Sequence, residues 1–364
     1  MKIIILLLLV SLPTLVGAEN SEQNTKKTIY QKALVEYKAQ AENGLSEELL
    51  PYAKALYFAG QDFLDKDDNS LAVLAQNYAA TLNIGYPSKD SISVLQFAIN
   101  SFENAKEPQT ERLIEALFNL GKVYNAHQKY AKRAKRKFNQ AVELAEQSGD
   151  DILLAQTLLK IGVNYISGQR VDKRSVSKAI DQLETSYKKF SEQSDERANI
   201  AAFWLGKANI MLSKSDQAIK YFSAVLDHPF ETETSSKLQM SSHAFLVRAY
   251  TENNEPEKAT VHCQAIGEST PWNADAEASP IYLLQPNYPK TAQRNNKSGW
   301  VKTKFTIDSN GFAKDIRVVG YQGHSSFSKE ALRVIKEWRF APKFEKGKPV
   351  DATSVYTIQF KLSK

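Results

Sequence analysis

One local pattern recurs four times along the chain, and it restricts the possible folds more than any other feature of the sequence. In each copy a Leu or an Ile is followed directly by a short residue, and successive copies lie 41, 44 and 41 residues apart. These short residues are Gly121, Gly162, Gly206 and Val247. All four lie within an amphipathic pattern that extends from Thr25 to Gly267 and has helical spacing. The pattern therefore predicts helical hairpins that stack on one another and bury a continuous core between neighbours.

The apolar residues around these positions resemble the tetratricopeptide repeat, in which a small residue lets helix A approach helix B. The matching positions are Tyr250, Ala259, Cys263, Ile266 and Pro271; Ala218, Phe222 and Val225; Ala134, Phe138 and Ala141; and Ala179 and Leu183. The third copy departs from the family at Asn209 and places Pro229 one residue early. The resemblance implies a TPR-like α-solenoid over residues 19–273 with Cys263 buried in a seam. A generic α-helical bundle is the alternative.

The N-terminus has the three parts of a secretory signal peptide: Lys2, an apolar run from Ile3 to Val16, and a small-residue end at Ala18. The 14 residues of this run would span about 21 Å as a helix, which is short of the ~30 Å hydrocarbon core of a bilayer. We therefore expect residues 1–18 to be cleaved and the protein to reach the periplasm. The alternative is an uncleaved anchor in the inner membrane, with the rest of the chain on its periplasmic side.

The basic residues are distributed unevenly along the chain. From Ala274 to Lys364 there are 16 Lys and Arg against 8 Asp and Glu, whereas the rest of the chain carries 31 against 33. This change in charge predicts a domain boundary near residue 274. A second basic run, Lys132 to Lys137, is spread around a predicted helix and indicates a solvated face, so no nucleic-acid partner is expected.

The sequence contains no recognisable catalytic motif. Its five histidines lack metal-ligand spacing, and no nucleophile elbow, phosphate-binding loop or dinucleotide fingerprint is present. We therefore expect neither enzyme activity nor a cofactor nor a metal site. With a single cysteine, the chain has no internal disulfide.

The pattern changes after residue 280, where three prolines in "SPIYLLQPNYP" predict an extended lead-in. The run "GWVKTKFTID" alternates apolar and polar residues, which predicts a half-buried strand, and "DSNG" predicts a turn before a second strand. The run "FSKEALRVIKEW" predicts a helix with one apolar stripe that ends at Trp338. The final run "SVYTIQFKL" alternates again and predicts a strand at the edge of a sheet.

These segments together resemble the C-terminal domain of the TonB family. The matches are "QPNYP" before a short helix, "GWVKTKFTIDSNG", "FSKEALRVIKEWRFAP", "GKPV" and "TIQFKL", in the family's order. The resemblance implies that residues 274–364 form a small α+β domain with an antiparallel sheet. It also implies that an extended peptide of an outer-membrane receptor, the TonB box, adds to the sheet edge as a further strand.

Carried over residue by residue, the resemblance assigns two sets of positions. The receptor-binding set is Gln285, Pro286, Tyr288 and Pro289 in the lead-in, and Ser354, Val355, Tyr356, Thr357, Ile358, Gln359, Phe360, Lys361 and Leu362 in the final strand. The structural set is Gly311, Phe327, Trp338, Arg339, Phe340, Pro342 and Gly347.

The chain also departs from the family, because helical repeats stand where a TonB protein has a membrane helix and a proline-rich spacer. Two functions therefore remain open. In the first, the protein belongs to an energy-dependent outer-membrane transport system, and its repeats contact inner-membrane components linked to ExbB and ExbD. In the second, it is a soluble periplasmic scaffold whose TonB-like domain binds another extended peptide without energy transduction.

Overall fold

The computed structural model describes residues 21–42, 44–65, 68–83, 88–168, 171–227 and 233–362. The predicted signal peptide and Pro229 lie outside these residues. The chain divides into two compact units, Met1–Ala201 and Ala202–Lys364. The predicted fold class is confirmed: helices dominate the chain, and a small antiparallel sheet follows them. The boundary expected near residue 274 stays a prediction.

Helices α1 to α8 belong to the first unit. Their bounds are Ser21–Ala41, Leu50–Phe63, Asn69–Leu82, Ser91–Glu103, Thr110–Ala126, Ala131–Gln147, Asp151–Ser167 and Lys173–Glu192. The recurring glycines stand where paired helices approach most closely. A Cβ atom on Gly121 would lie 2.5 Å from the Phe138 ring, and one on Gly162 would lie 2.7 Å from Leu183. Glycine therefore permits the close contact within each hairpin, as the repeat pattern predicts.

Four further helices, α9 to α12, follow, and α9 crosses the division between the units. Their bounds are Arg197–Met211, Ser215–Leu226, Glu233–Glu252 and Pro256–Ser269. Gly206 repeats the close approach, since a Cβ atom there would lie 2.7 Å from the Phe222 ring. Asn209, the departure from the repeat pattern, is buried, and its side-chain amide donates to the Leu205 carbonyl oxygen of its own helix. Cys263 is fully buried as predicted, and burial raises the pKa of its thiol to about 11.

The C-terminal part of the second unit consists of seven strands and two helices. The strands β1 to β7 are Pro280–Tyr282, Gly299–Ile307, Ala313–Gln322, Arg339–Phe340, Lys343–Glu345, Lys348–Val350 and Ala352–Phe360. The helices are α13, Lys290–Arg294, and α14, Ser326–Ile335. The main sheet has the strand order β3-β2-β7 and is antiparallel, so β3 and β7 form its two edges.

The core of this part lies between the main sheet and α14. Val301, Phe305 and Ile307 alternate along β2 and are buried, as are Phe327 and other residues of the α14 stripe. The helix ends at Ile335, three residues before the predicted end at Trp338. The chain tightens there, because the Trp338 amide donates to the Ile335 carbonyl oxygen three residues back. The Trp338 indole is buried, and its Nε1–H donates to the Leu284 carbonyl oxygen at 2.9 Å.

A buried arginine joins the sheet to helix α12 within the second unit. Arg339 is 1% exposed, and its guanidinium donates to the carbonyl oxygens of Pro256 and Asn310 and to the Thr260 hydroxyl. The same group lies 3.8 Å from the centre of the Phe312 ring. Charge-assisted hydrogen bonds are about twice as strong as neutral ones, so Arg339 fixes the sheet to the last helix of the repeats.

Candidate peptide-docking edge

The outer edge of β7 is defined by which peptide groups face away from β2. In an antiparallel strand, the groups of alternate residues point toward the same neighbour. The Thr357 amide and the Val355 carbonyl oxygen bond to residues outside the sheet, so the odd-numbered residues face outward. The outward set is Thr353, Val355, Thr357 and Gln359.

Part of this edge is already occupied by a short segment between α12 and β1. The Ala278 amide donates to the Val355 carbonyl oxygen at 3.0 Å. The Glu277 carboxylate accepts from the Thr357 amide at 3.1 Å and from the Thr357 hydroxyl at 2.5 Å. We call Glu277 and Ala278 the strap.

The section of the edge beyond the strap is open. Three backbone groups here point away from β2: the Thr357 carbonyl oxygen, the Gln359 amide and the Gln359 carbonyl oxygen. None of them has a hydrogen-bond partner in the part of the chain that the structure describes. Gln359 is also exposed. An extended peptide could pair with these three groups without any change in the fold.

The structure divides the predicted receptor-binding residues of the last strand into three groups. Val355, Thr357 and Gln359 present their peptide groups outward. The alternate residues direct their backbone amide and carbonyl groups toward β2 and pair with it; they are Ser354, Tyr356, Ile358 and Phe360. Lys361 and Leu362 follow the strand, which ends at Phe360. Ile358 and Phe360 are buried, and the Phe360 ring stacks on Phe327 with centroids 4.3 Å apart. These side chains hold the strand in place, so an added strand would be recognised mainly through the backbone.

The lead-in meets the same end of β7 through an aromatic contact. The Tyr288 ring packs edge-on against Phe327 and Phe360, at centroid distances of 5.6 and 6.2 Å. Its hydroxyl donates to the Lys297 carbonyl oxygen. Pro289 precedes α13, Pro286 is half-buried, and Gln285 is exposed. The structure therefore brings one residue of the lead-in set, Tyr288, against Phe360 of the final strand, and Gln285 is accessible three residues earlier in the chain.

Helix α14 holds the lead-in with a hydrogen bond from a backbone amide to a carboxylate. Glu330 accepts from the Asn287 amide at 2.6 Å and forms an ion pair with Arg333. The hydrogen bond with Arg333 keeps the pKa of Glu330 below its ordinary value, and the Asn287 amide acts in the same direction. The carboxylate is therefore charged in neutral solution, which favours both contacts.

The sheet face next to the edge is basic. Lys302 and Lys304 lie opposite Thr357 and Val355, and Arg317 lies opposite Lys304 on the other side. Side chains of directly opposed residues share one face of a sheet, so these three cations lie together. None of the three forms an ion pair among the described residues. A bound peptide would therefore meet a positive surface beside the edge.

The remaining structural residues take part in turns and in the connection to α12. Gly311 and Gly347 have φ angles of +82° and +75° and occupy the two predicted turns. Phe340 is buried and donates its amide to the Gly311 carbonyl oxygen at 2.9 Å. Pro342 lies against α12, because a Cβ atom on Gly267 would be 2.4 Å from its carbonyl oxygen. Sequence reasoning missed the partners of Arg339 and the strap.

Two further properties of the described residues bear on function. None of their helices is both long enough and apolar enough to cross a membrane. No group of three or more His, Cys, Asp or Glu residues among them could hold a metal ion.

Comparison with known proteins identifies the C-terminal part. Residues 284–362 match the family model of the Gram-negative bacterial TonB protein C-terminal. Protein TonB of Pseudomonas aeruginosa is 33% identical over 90 residues, which are 25% of this chain and 26% of that protein. Protein TonB of Vibrio cholerae is 30% identical over 112 residues, which are 31% of this chain and 46% of that protein. The predicted resemblance to the TonB C-terminal domain is confirmed.

Among solved structures, the solution structure of the Pseudomonas aeruginosa TonB C-terminal domain is similar to part of this chain. It has 33% sequence identity and a TM-score of 0.22, and the match covers 25% of this chain and 91% of that one. By contrast, this chain spans between a quarter and just under half of the two curated relatives.

Proposed function

We propose that the protein docks extended segments of outer-membrane receptors, the TonB box, by adding them as a strand to the outer edge of β7. The observation that carries this proposal is the row of outward peptide groups at Thr357 and Gln359, within a segment that matches the TonB C-terminal family. Strand addition needs unpaired backbone donors and acceptors at the edge of a sheet, and β7 offers both.

The size of the open section sets a limit on the affinity. A backbone hydrogen bond contributes about 0.5–1.5 kcal/mol net, so the three open groups beyond the strap supply roughly 3 kcal/mol. Association itself costs an estimated 4 kcal/mol or more. Stable docking therefore needs further contacts, either from the lead-in around Gln285 or from the section of the edge now occupied by the strap.

We propose that the protein acts in the periplasm after cleavage of residues 1–18, as one component of an energy-dependent transport system. The helical repeats would contact inner-membrane components linked to ExbB and ExbD. A groove of about 310 Å³ on the repeats, lined by Phe138, Tyr165, Lys178 and other residues, is a candidate contact surface.

The second candidate is a periplasmic scaffold whose TonB-like domain binds another extended peptide without energy transduction. It is favoured by the direct attachment of the sheet to α12 through Arg339, because this attachment replaces a flexible spacer with a short, fixed connection. Crosslinking of the full-length protein in cells separates the candidates. A transport component predicts crosslinks to a TonB-dependent receptor and to ExbB or ExbD, whereas a scaffold predicts crosslinks to neither.

Strand addition is tested by comparing Gln359→Pro with Gln359→Ala in the full-length protein. Proline removes the outward amide but no bond to β2, and it is tolerated on strand edges that face solvent. Alanine keeps the amide and removes only the side chain. We expect a fluorescence titration with a labelled TonB-box peptide to give weaker binding for Gln359→Pro and near-normal binding for Gln359→Ala. Equal affinities in the two variants would refute main-chain pairing, provided that circular dichroism confirms both folds.

A further inference from the structure

The two residues of the strap occupy the same positions on β7 that an added strand would occupy. In a sheet, a neighbouring strand donates an amide to one outward carbonyl and accepts from the next outward amide. The Ala278 amide fills the first role at Val355, and the Glu277 carboxylate fills the second at Thr357. A side-chain oxygen thus replaces the backbone carbonyl of a neighbouring strand.

We infer that the strap is an internal competitor, which a receptor peptide must displace from Val355 and Thr357 in order to pair with the whole edge. This inference rests on the proposed docking at β7 and adds its regulation. The groups beyond the strap, at Thr357 and Gln359, are open to an approaching peptide, and so are the Val355 amide and the peptide groups of Thr353 on its other side. The strap lies between these two open sections, so a peptide that pairs with the whole edge must displace it.

The contacts of the strap are of a kind that a peptide can replace. Glu277 is exposed, whereas Ala278 is half-buried and packs against the rim of the core. Glu277 holds Thr357 through its amide and hydroxyl, and no other contact of its carboxylate is present among the described residues. Displacement exchanges these hydrogen bonds for those of an added strand, and the Glu277 carboxylate returns to water.

The inference is tested with Glu277→Ala in the full-length protein, with Glu268→Ala as the matched control. Glu268 is an exposed acid on α12, and among the described residues it forms no hydrogen bond or ion pair with β7. When an internal competitor covers the site, the apparent association constant equals the intrinsic one multiplied by the fraction of molecules in which the site is open. Glu277→Ala raises this fraction, so we expect it to bind a labelled TonB-box peptide about tenfold more tightly than the wild type, a change of about 1.4 kcal/mol. Glu268→Ala should bind like the wild type.

A second measurement does not depend on any peptide. Hydrogen exchange of the segment from Thr353 to Phe360 should be faster in Glu277→Ala, because the Thr357 amide loses its acceptor, and unchanged in Glu268→Ala. Unchanged exchange in Glu277→Ala would overturn the inference, since the strap would then not hold the edge in solution. Faster exchange with unaltered peptide affinity would overturn it as well.

The two hypotheses fail differently. If the wild type binds the peptide and Glu277→Ala gives no gain, the competitor is refuted while docking at β7 stands. If neither protein binds any TonB-box peptide, even though exchange in Glu277→Ala is faster, then both docking and competition for it are refuted.

Discussion

The two turn glycines of the sheet region allow a quantitative test of how β4 is fixed. Gly311 and Gly347 have similar positive φ angles, +82° and +75°. Their surroundings differ: a Cβ atom on Gly311 would lie 2.3 Å from the Phe340 carbonyl oxygen and 3.1 Å from the Cys263 Cβ, whereas one on Gly347 would have nothing within 4 Å. The two alanine substitutions should therefore have a similar cost in backbone conformation, and they should differ only in the packing of the added methyl group.

The expected magnitudes follow from these distances. The left-handed conformation costs an L-residue about 1–2 kcal/mol, and this is the whole effect expected for Gly347→Ala. In Gly311→Ala, the Phe340 carbonyl must move by roughly 1 Å, and such overpacking costs about 1–3 kcal/mol. The movement also disturbs the bond from the Phe340 amide to the Gly311 carbonyl oxygen, worth about 1 kcal/mol. We therefore expect Gly311→Ala to be less stable than Gly347→Ala by about 2–4 kcal/mol.

Native-state hydrogen exchange of the β2 segment, Gly299–Ile307, measures this difference. Exchange reports the opening of one region, so it does not require the whole chain to unfold in a single step. Any gain from restricting the unfolded chain is the same for both substitutions and cancels in the comparison. Equal opening free energies for the two variants would refute the close packing of the Gly311 turn against β4 and α12.

Two other perturbations test the connection to α12 and the burial of its histidine. Arg339→Met removes the hydrogen bonds to Pro256, Asn310 and Thr260, so the opening free energy of α12 and β2 should fall by about 3 kcal/mol and their hydrogen exchange should become faster. The control Arg333→Met changes an exposed arginine, and the same free energy should fall by less than about 1 kcal/mol. Similar exchange in the two variants would contradict the buried role of Arg339. Burial lowers the pKa of His262 from 6.5 to about 4. The unfolded chain therefore takes up a proton that the folded protein does not as pH falls from 6.5 toward 4, and stability should decline there by at most about 1.4 kcal/mol per pH unit. His262→Gln should flatten this slope in thermal denaturation, and an unchanged slope would exclude His262 as its source.

The sequence predicted those features that depend on local periodicity. The small residues of the repeats and the residues that face them, such as Gly121 and Phe138, recur at fixed spacing because every hairpin poses the same packing problem. The alternation along β2 and the stripe on α14 are equally local. Both patterns identify the buried faces without any knowledge of tertiary contacts.

The strap and the Arg339 contacts could not be predicted, because they join residues far apart in the sequence. Glu277 lies 80 residues from Thr357, and Arg339 lies 83 residues from Pro256. A short acidic segment before a proline-rich lead-in has no periodicity that would indicate an edge partner. The sequence offered one sign of the Arg339 contacts, because this arginine stands between two residues of the core, Trp338 and Phe340. A buried charge must have polar partners.

The family resemblance implies that β7 is the docking strand but does not divide its residues. That division follows from the register with β2, since Tyr356 and Ile358 turn their peptide groups inward while Thr357 and Gln359 turn theirs outward. A shift of one residue would exchange the two sets. Sequence alternation gives the face of each side chain but does not give the direction of each peptide group.

In the proposed function, a foreign polypeptide pairs with the outward backbone of β7. The decisive measurement is residue-resolved hydrogen exchange of β7 by NMR, on the full-length protein with and without a saturating TonB-box peptide. Strand addition should slow exchange at the outward amides of Val355, Thr357 and Gln359. The effect should be larger at Gln359 than at Thr357, because the Thr357 amide already bonds to Glu277 whereas the Gln359 amide has no acceptor among the described residues. Slower exchange at the other edge, on β3, with β7 unchanged would contradict it.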